Sequence, residues 1–176
     1  MTEFKKLIKK KVFRLFLVVW APWGEEKESD IDISFGFVFK DESEKLCVIS
    51  VDKNDLWSPY ISYEPLPISN YTWEDFYPRI KMWMKAKNDN LIIDKEYYEV
   101  TKSDRFKSIT GAEIEGIEFI SIEGNTEPFG VKIFFKDDCI ISIPNSDGNT
   151  VETKAFNKNN SIENFKHLGN IIYSRV

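Results

Sequence analysis

Histidine is almost missing from this chain of 176 residues, with His167 its single example. A Ser-His-Asp or Cys-His site has to route its general base through that one ring. His167 sits in a polar stretch with no nucleophile elbow beside it, and it reads as a surface residue. Cysteine is nearly as scarce, present only as Cys47 and Cys139. Both stand inside apolar runs that look like strands, and neither has the basic neighbours that lower a thiol's pKa. They read as buried free thiols in a reducing compartment, because a disulfide framework needs an even set at dense spacing. Three scattered His and Cys cannot build a four-ligand zinc site without carboxylates, so no metal or other cofactor is expected.

The eight glycines form no phosphate cradle. Gly111, Gly116, Gly124 and Gly130 are spread out, and neither GxGxxG nor GxxxxGK[ST] occurs. Long hydrophobic runs are also missing, since nothing approaches the ~20 apolar residues of a membrane-spanning helix. Lys5–Lys11 followed by Val12–Trp20 has the outline of a signal peptide. Arg14 interrupts its apolar part, however, and Pro22 and Trp23 stand where cleavage requires small residues. The segment reads as a strand, and a cytoplasmic protein without membrane insertion is expected.

Aromatic residues, by contrast, are abundant: 14 Phe, 7 Tyr and 5 Trp. Each one buried removes about 150–250 Å² from water, which is ample material for a core. The length suits a single domain over residues 1–176. The net charge is −5 and unevenly spread. Residues 1–11 form a basic lead that reads as a short helix, whereas Glu113, Glu115, Glu118, Glu123 and Glu127 lie in a stretch with no base. Nucleic-acid binding needs clustered Lys and Arg to release counterions, so the acidic body suits a basic protein partner better than nucleic acid.

Val12–Trp20 is β-branched and aromatic, as a central strand should be. In Ile31–Phe39 the residues Ile31, Ile33, Phe35, Phe37 and Phe39 alternate with a mixed set, which gives one wholly apolar strand face. Leu46–Val51 returns as its hairpin partner across a turn at Asp41–Glu44. Asp52–Pro67, with three prolines, reads as irregular. Trp73, Phe76, Tyr77, Ile80, Trp83 and Met84 form a helical stripe, capped by Thr72 with Asp75 at the third position. Pro78 either kinks its first turn or marks its start. Short strands are expected at 91–93 and Tyr97–Thr101. Glu113–Glu123 alternates with a slip at Gly116 that suggests a bulge. Val131–Lys136 and Ile140–Ile143 read as a hairpin, Ser146–Asn149 as a tight turn, Ser161–Leu168 as a short helix closed by Gly169, and Ile171–Tyr173 as a last strand. Strands in sequence with one principal helix indicate an α+β fold, mainly antiparallel sheet with that amphipathic helix packed on it.

Motifs for chemistry are weak. Asp52-Lys53-Asn54-Asp55 begins like an EF-hand loop, but the required Gly and bidentate Glu are replaced by Trp57 and Tyr63. Glu152-Thr153-Lys154, with Asp137 and Asp138 upstream, has the outline of a magnesium-dependent nuclease site. Acid-x-Lys also occurs at Glu3–Lys5 and Glu25–Lys27, which is the frequency chance supplies in a chain with 29 acids. The aromatic set Trp57, Tyr60, Tyr63, Tyr71 and Trp73 could stack sugars or serve as a protein hot spot, and equally could be packing beneath a proline-rich loop. No catalytic residues emerge.

The segment Gly124-Asn125-Thr126-Glu127-Pro128-Phe129-Gly130-Val131-Lys132-Ile133-Phe134-Phe135, continued by Ile140–Pro144 and Ser146–Thr153, resembles the C-terminal part of small bacterial immunity proteins. These belong to contact-dependent growth inhibition and related polymorphic toxin systems. Asp52–Pro67 adds a further similarity. The resemblance implies a non-enzymatic, stoichiometric inhibitor that neutralises a cognate toxin domain by blocking its active site or substrate access. Asp52, Asp55, Trp57 and Tyr60, together with the acidic Glu113, Glu115 and Glu118, are then the expected contact residues, steering a basic partner. The alternatives are a carboxylate-dependent, metal-assisted hydrolase or nuclease, and an aromatic-lined sugar-binding module.

Overall fold

Two runs of β-branched and aromatic residues set the centre of the molecule. In the computed structural model, which describes residues 2–20, 31–51, 57–85, 95–145 and 148–176, β1 (Val12–Trp20) pairs antiparallel with β2 (Asp32–Phe39). The lead before β1 contains a four-residue helix, α1 (Thr2–Lys5). The register of β1 slips between Val12 and Arg14. This irregularity lets Val12 and Leu15 face the same core while Phe13 is turned out to solvent.

The strands divide into two sheets, a partition the hydrophobic pattern alone does not make. After β2, a two-residue turn leads to β3 (Glu42–Ser50), and β4 (Tyr60–Pro65) pairs antiparallel with it. The expected irregular stretch at Asp52–Pro67 therefore contains a strand. It escapes the sequence pattern because it lies at a sheet edge, where proline is tolerated: Pro65 is its last residue. The chain then crosses to the far edge, where β5 (Tyr71–Thr72), α2 (Trp73–Lys85) and β6 (Lys95–Glu99) form a parallel β-α-β unit beside β1. The first sheet thus has the order β4-β3-β2-β1-β6-β5.

The second sheet is built by β7 (Gly116–Ile122), β8 (Gly130–Phe134), β9 (Cys139–Asn145), β10 (Gly148–Glu152) and β11 (Ile171–Arg175), in the order β10-β9-β8-β7-β11. All of its pairings are antiparallel. Gly116 begins β7 and is not a bulge within a longer strand. One 3₁₀ turn, Asp104–Phe106, lies between the sheets' sequences, and a longer 3₁₀ helix, Ser161–Leu168, precedes β11. The readings at 21–30, 52–56, 86–94 and 146–147 lie outside the described residues.

The main core fills the space between the sheets. Leu15, Leu17 and Val19 of β1 and Ile33, Phe35, Phe37 and Phe39 of β2 meet Ile117, Phe119, Val131, Ile133 and Phe135 from the second sheet. Each such fully buried side chain contributes about 1.5–3 kcal/mol. The helix belongs to the same core through Phe76, Ile80 and Trp83, with Trp73 and Met84 of the expected stripe partly buried against them and Tyr77 left exposed. It begins at Trp73 with Pro78 inside it. Asp75 Oδ2 accepts from both the backbone N–H and the hydroxyl of Thr72, each at 2.9 Å, so the capping contact runs back from the third helical residue. The fold is therefore α+β, with mostly antiparallel sheet and one principal helix packed into its core. Among the described residues, no helix is long and apolar enough to cross a membrane.

Candidate binding cleft

The outer face of the second sheet is covered in part by the 3₁₀ helix Ser161–Leu168. Ile120 and Ile143 on the sheet bury Ile162 of that helix, with Phe129, Ile141, Phe165 and Ile171 packed around them. Phe129 and Phe165 stack at 4.4 Å between ring centroids. Asparagines shape the approach to the helix. Asn157 and Asn160 adopt left-handed backbone angles of φ 50° and 52°, which asparagine tolerates better than most residues. The Asn157 amide donates to Thr150 Oγ1 at 2.9 Å and to the Val151 carbonyl at 3.0 Å. Glu152, almost fully buried, accepts from the Ser161 N–H at 2.8 Å and fixes the first turn.

Between this helix, the ends of β7, β9 and β10, and Trp57 lies an open cleft of about 820 Å³. Trp57 is 40% exposed, with φ 48°. The polar lining includes Asn125, Asn159, Ser161 and Asn164, and His167 stands on the rim. Nδ1 of His167 donates to the Asn164 carbonyl at 2.5 Å, which leaves Nε2 as the free ring nitrogen. His167 is exposed, as its sequence context indicates. Nothing in the aromatic or charge pattern singles out Asn125, Phe129, Asn164 or Phe165. The signal available in the sequence was the asparagine-rich run from Asn157 to Asn164.

The residues expected to form a partner surface are scattered by the fold. Asp52 and Asp55 lie outside the described residues. Tyr60 opens β4 opposite Ser50, and Tyr63 is 44% exposed on the same edge strand. Tyr71 and Trp73 belong to the opposite edge of the first sheet. That is five strands along the sheet, which rolls enough for Glu64 of β4 to accept from Lys95 Nζ at 2.6 Å and from the Tyr97 hydroxyl at 2.8 Å, both on β6. There Tyr71 lies under the Arg79 guanidinium at 3.9 Å, and Trp73 stacks on Phe76. The five aromatics are not one cluster.

Glu113 and Glu115 are exposed, but they run beside the basic lead. The Lys11 backbone pairs antiparallel with that of Glu113 in an isolated β-bridge, and the Lys9 N–H donates to the Ile114 carbonyl at 2.8 Å. Glu118 sits in register between Lys132 and Arg175, with Arg175 Nε 3.6 Å from its carboxylate. Charges that are segregated in sequence are interleaved in space. These acids also flank the start of β7, whereas the cleft lies at its other end, beside Ile122 and roughly 20 Å away.

Two carboxylates of the nuclease-like outline, Asp138 and Glu152, hold backbone N–H groups. Asp138 Oδ1 accepts from the N–H groups of Cys139 (2.8 Å) and Lys154 (3.0 Å), and its Oδ2 accepts from Ser108 Oγ at 2.7 Å. Lys154 Nζ donates to the Asp137 carbonyl at 2.6 Å. Among the described residues, no group of three or more His, Cys, Asp or Glu is placed to hold a metal ion. Both cysteines are free; Cys47 is buried and Cys139 half-buried. Comparison with protein families, with curated proteins and with solved structures finds no match to this chain.

Proposed function

We propose that this protein is a cytoplasmic, stoichiometric inhibitor of the immunity type, which neutralises a cognate toxin domain by occupying it. The observation that supports this reading is the β4 edge. β4 is the terminal strand of the first sheet, and Tyr60 and the exposed Tyr63 stand on it. An edge strand offers main-chain donors and acceptors to an incoming segment. Tyrosine supplies contact area at low entropic cost, which is the composition of a protein hot spot. The resemblance over Gly124–Thr153 points the same way. The interleaved charges around Glu113, Glu115 and Glu118 lend little support to long-range steering, so the proposed contact rests on the aromatic edge.

The test is co-expression with the variable C-terminal domain of a large secreted protein encoded beside this one. A one-to-one complex by light scattering and restored growth of cells producing that domain are expected. Tyr60→Ala combined with Tyr63→Ala should weaken the complex by at least about tenfold, the equivalent of 1.4 kcal/mol. Absence of both complex and growth protection refutes the proposal.

A further inference from the structure

The cleft on the outer face of the second sheet has a lining unlike the rest of this protein. In a chain that is 30% charged, about four of its thirteen described lining residues would be Asp, Glu, Lys or Arg, and none is. Surface positions are ordinarily richer in charge than the chain average, which makes the exclusion more pointed. In place of charge the cleft holds amides, hydroxyls and rings. The side chains of Asn125, Ser161 and Asn164 have no hydrogen-bond partner among the described residues. Trp57 presents a partly exposed ring, and the stacked Phe129–Phe165 pair supplies a second apolar surface.

From this lining we infer that the cleft is a binding site for a neutral saccharide. The described lining carries no Asp, Glu, Lys or Arg and so gives no compensation for desolvating a phosphate or carboxylate, which disfavours anionic ligands there. A purely apolar ligand would strip water from Asn125, Ser161 and Asn164 and leave them unpaired. A sugar ring satisfies both constraints. Its hydroxyls donate to and accept from planar amides, and its C–H face lies on an aromatic ring. The volume, about 820 Å³, falls within the roughly 300–1,000 Å³ typical of sites for small ligands.

The elements holding these side chains are well anchored. Glu152 caps the 3₁₀ helix from beneath, the Phe129–Phe165 stack ties it to the sheet, and Asn157 pins the preceding loop to β10. The site is thus largely formed before a ligand arrives. The inference goes beyond the toxin-binding reading and does not depend on it, because Tyr60 and Tyr63 are not part of the cleft wall.

The test is titration of the purified chain with glucose, N-acetylglucosamine, maltose, cellobiose and chitobiose, with glucuronic acid as the charged control. Binding is read by calorimetry and by tryptophan fluorescence. Saturable binding of at least one neutral sugar is expected, weakened about tenfold or more by Trp57→Ala and by Asn164→Ala. Both positions are exposed, so circular dichroism and thermal unfolding should be unchanged and confirm that the variants fold. Three results would each overturn the inference: no saturable binding of any neutral sugar, sugar binding that survives both substitutions, or glucuronic acid binding as well as glucose.

Discussion

The side-chain amide of Asn149 on β10 donates to the backbone carbonyl of Ile33 on β2 at 2.6 Å, across the junction of the two sheets. Asn149 is wholly buried, and its amide oxygen accepts from Ser142 Oγ at 2.9 Å. Its backbone N–H donates to Asp32 Oδ1 at 3.0 Å. A polar residue sits at this apolar seam because it satisfies groups from both layers at once, and so fixes where β10 lies against β2.

Asn149→Ala removes the partner of the Ile33 carbonyl and of the Ser142 hydroxyl and leaves both buried. Each unsatisfied group costs about 1–3 kcal/mol, so a total loss of about 2–4 kcal/mol is expected. Urea unfolding with an unchanged m-value is the measurement. A loss below 0.5 kcal/mol, the scale of an ordinary surface change, would show that the joint contributes no stability.

Gly148 precedes this joint and has φ 154°. A Cβ built there would lie 2.5 Å from the Asp32 carboxyl carbon. Gly148→Ala must therefore turn the Asp32 carboxylate away from the Asn149 N–H or push β10 from β2, and either outcome should lower the thermal midpoint and expose the Asn149 amide to hydrogen exchange. Gly111→Ala is the useful comparison: its φ is 80°, and a Cβ there meets nothing within 4 Å. It carries backbone strain without the clash, so its effect on exchange at Asn149 should be small.

Glu99 should contribute to acid sensitivity. Its carboxylate receives Arg14 Nε at 2.9 Å and Nη2 at 2.7 Å, and also accepts from Thr101 and Asn70. The Arg14 hydrogen bonds, outweighing burial and reinforced by the others, hold the Glu99 pKa below its ordinary 4.5. A depressed folded-state pKa contributes stability above the unfolded value, and that contribution is lost as pH falls through the folded one. Glu99→Gln should thus reduce stability at neutral pH and flatten the decline below pH 4.5. An acid limb of unchanged slope would assign the sensitivity to other carboxylates.

Thiol labelling should separate the two cysteines. Burial pushes the Cys47 thiol up to about 12 and raises Cys139 as well, though Cys139 is only half-buried. The thiolate is the reactive form. Cys139 should therefore react slowly with a disulfide reagent at mildly alkaline pH, and Cys47 only on unfolding. Mass spectrometry of the labelled chain under native and denaturing conditions distinguishes the sites, and equal native rates would contradict the placement of Cys47 in the core.

The aromatic and β-branched runs by themselves determined β1 and β2, and the helical stripe determined which face of α2 is buried. These features depend on neighbours a few residues apart, so a linear pattern records them. The choice between a helix start at Trp73 and one at Pro78, by contrast, was settled only by the fold. Tertiary structure alone decided that the strands form two sheets, because pairing partners such as β11 and β7 are far apart in the chain. It also decided that β4 is a strand despite Pro65 at its end, since an edge position tolerates proline.

The same limit governs the sites. Sequence showed a basic lead and an acidic stretch, and folding laid Lys9 and Lys11 against Glu113–Glu115. Sequence also offered five aromatics as a group, which folding set apart: Tyr60 and Tyr63 on β4, Tyr71 on β5, Trp73 on α2, and Trp57 at the cleft. Beyond the asparagine-rich run at Asn157–Asn164 the cleft has no local signature, because Trp57, Asn125 and Asn164 meet only when the chain is folded. Alternation and periodicity report which side of an element is buried, whereas a binding surface is composed of the sides that are not, brought together by contacts distant in sequence.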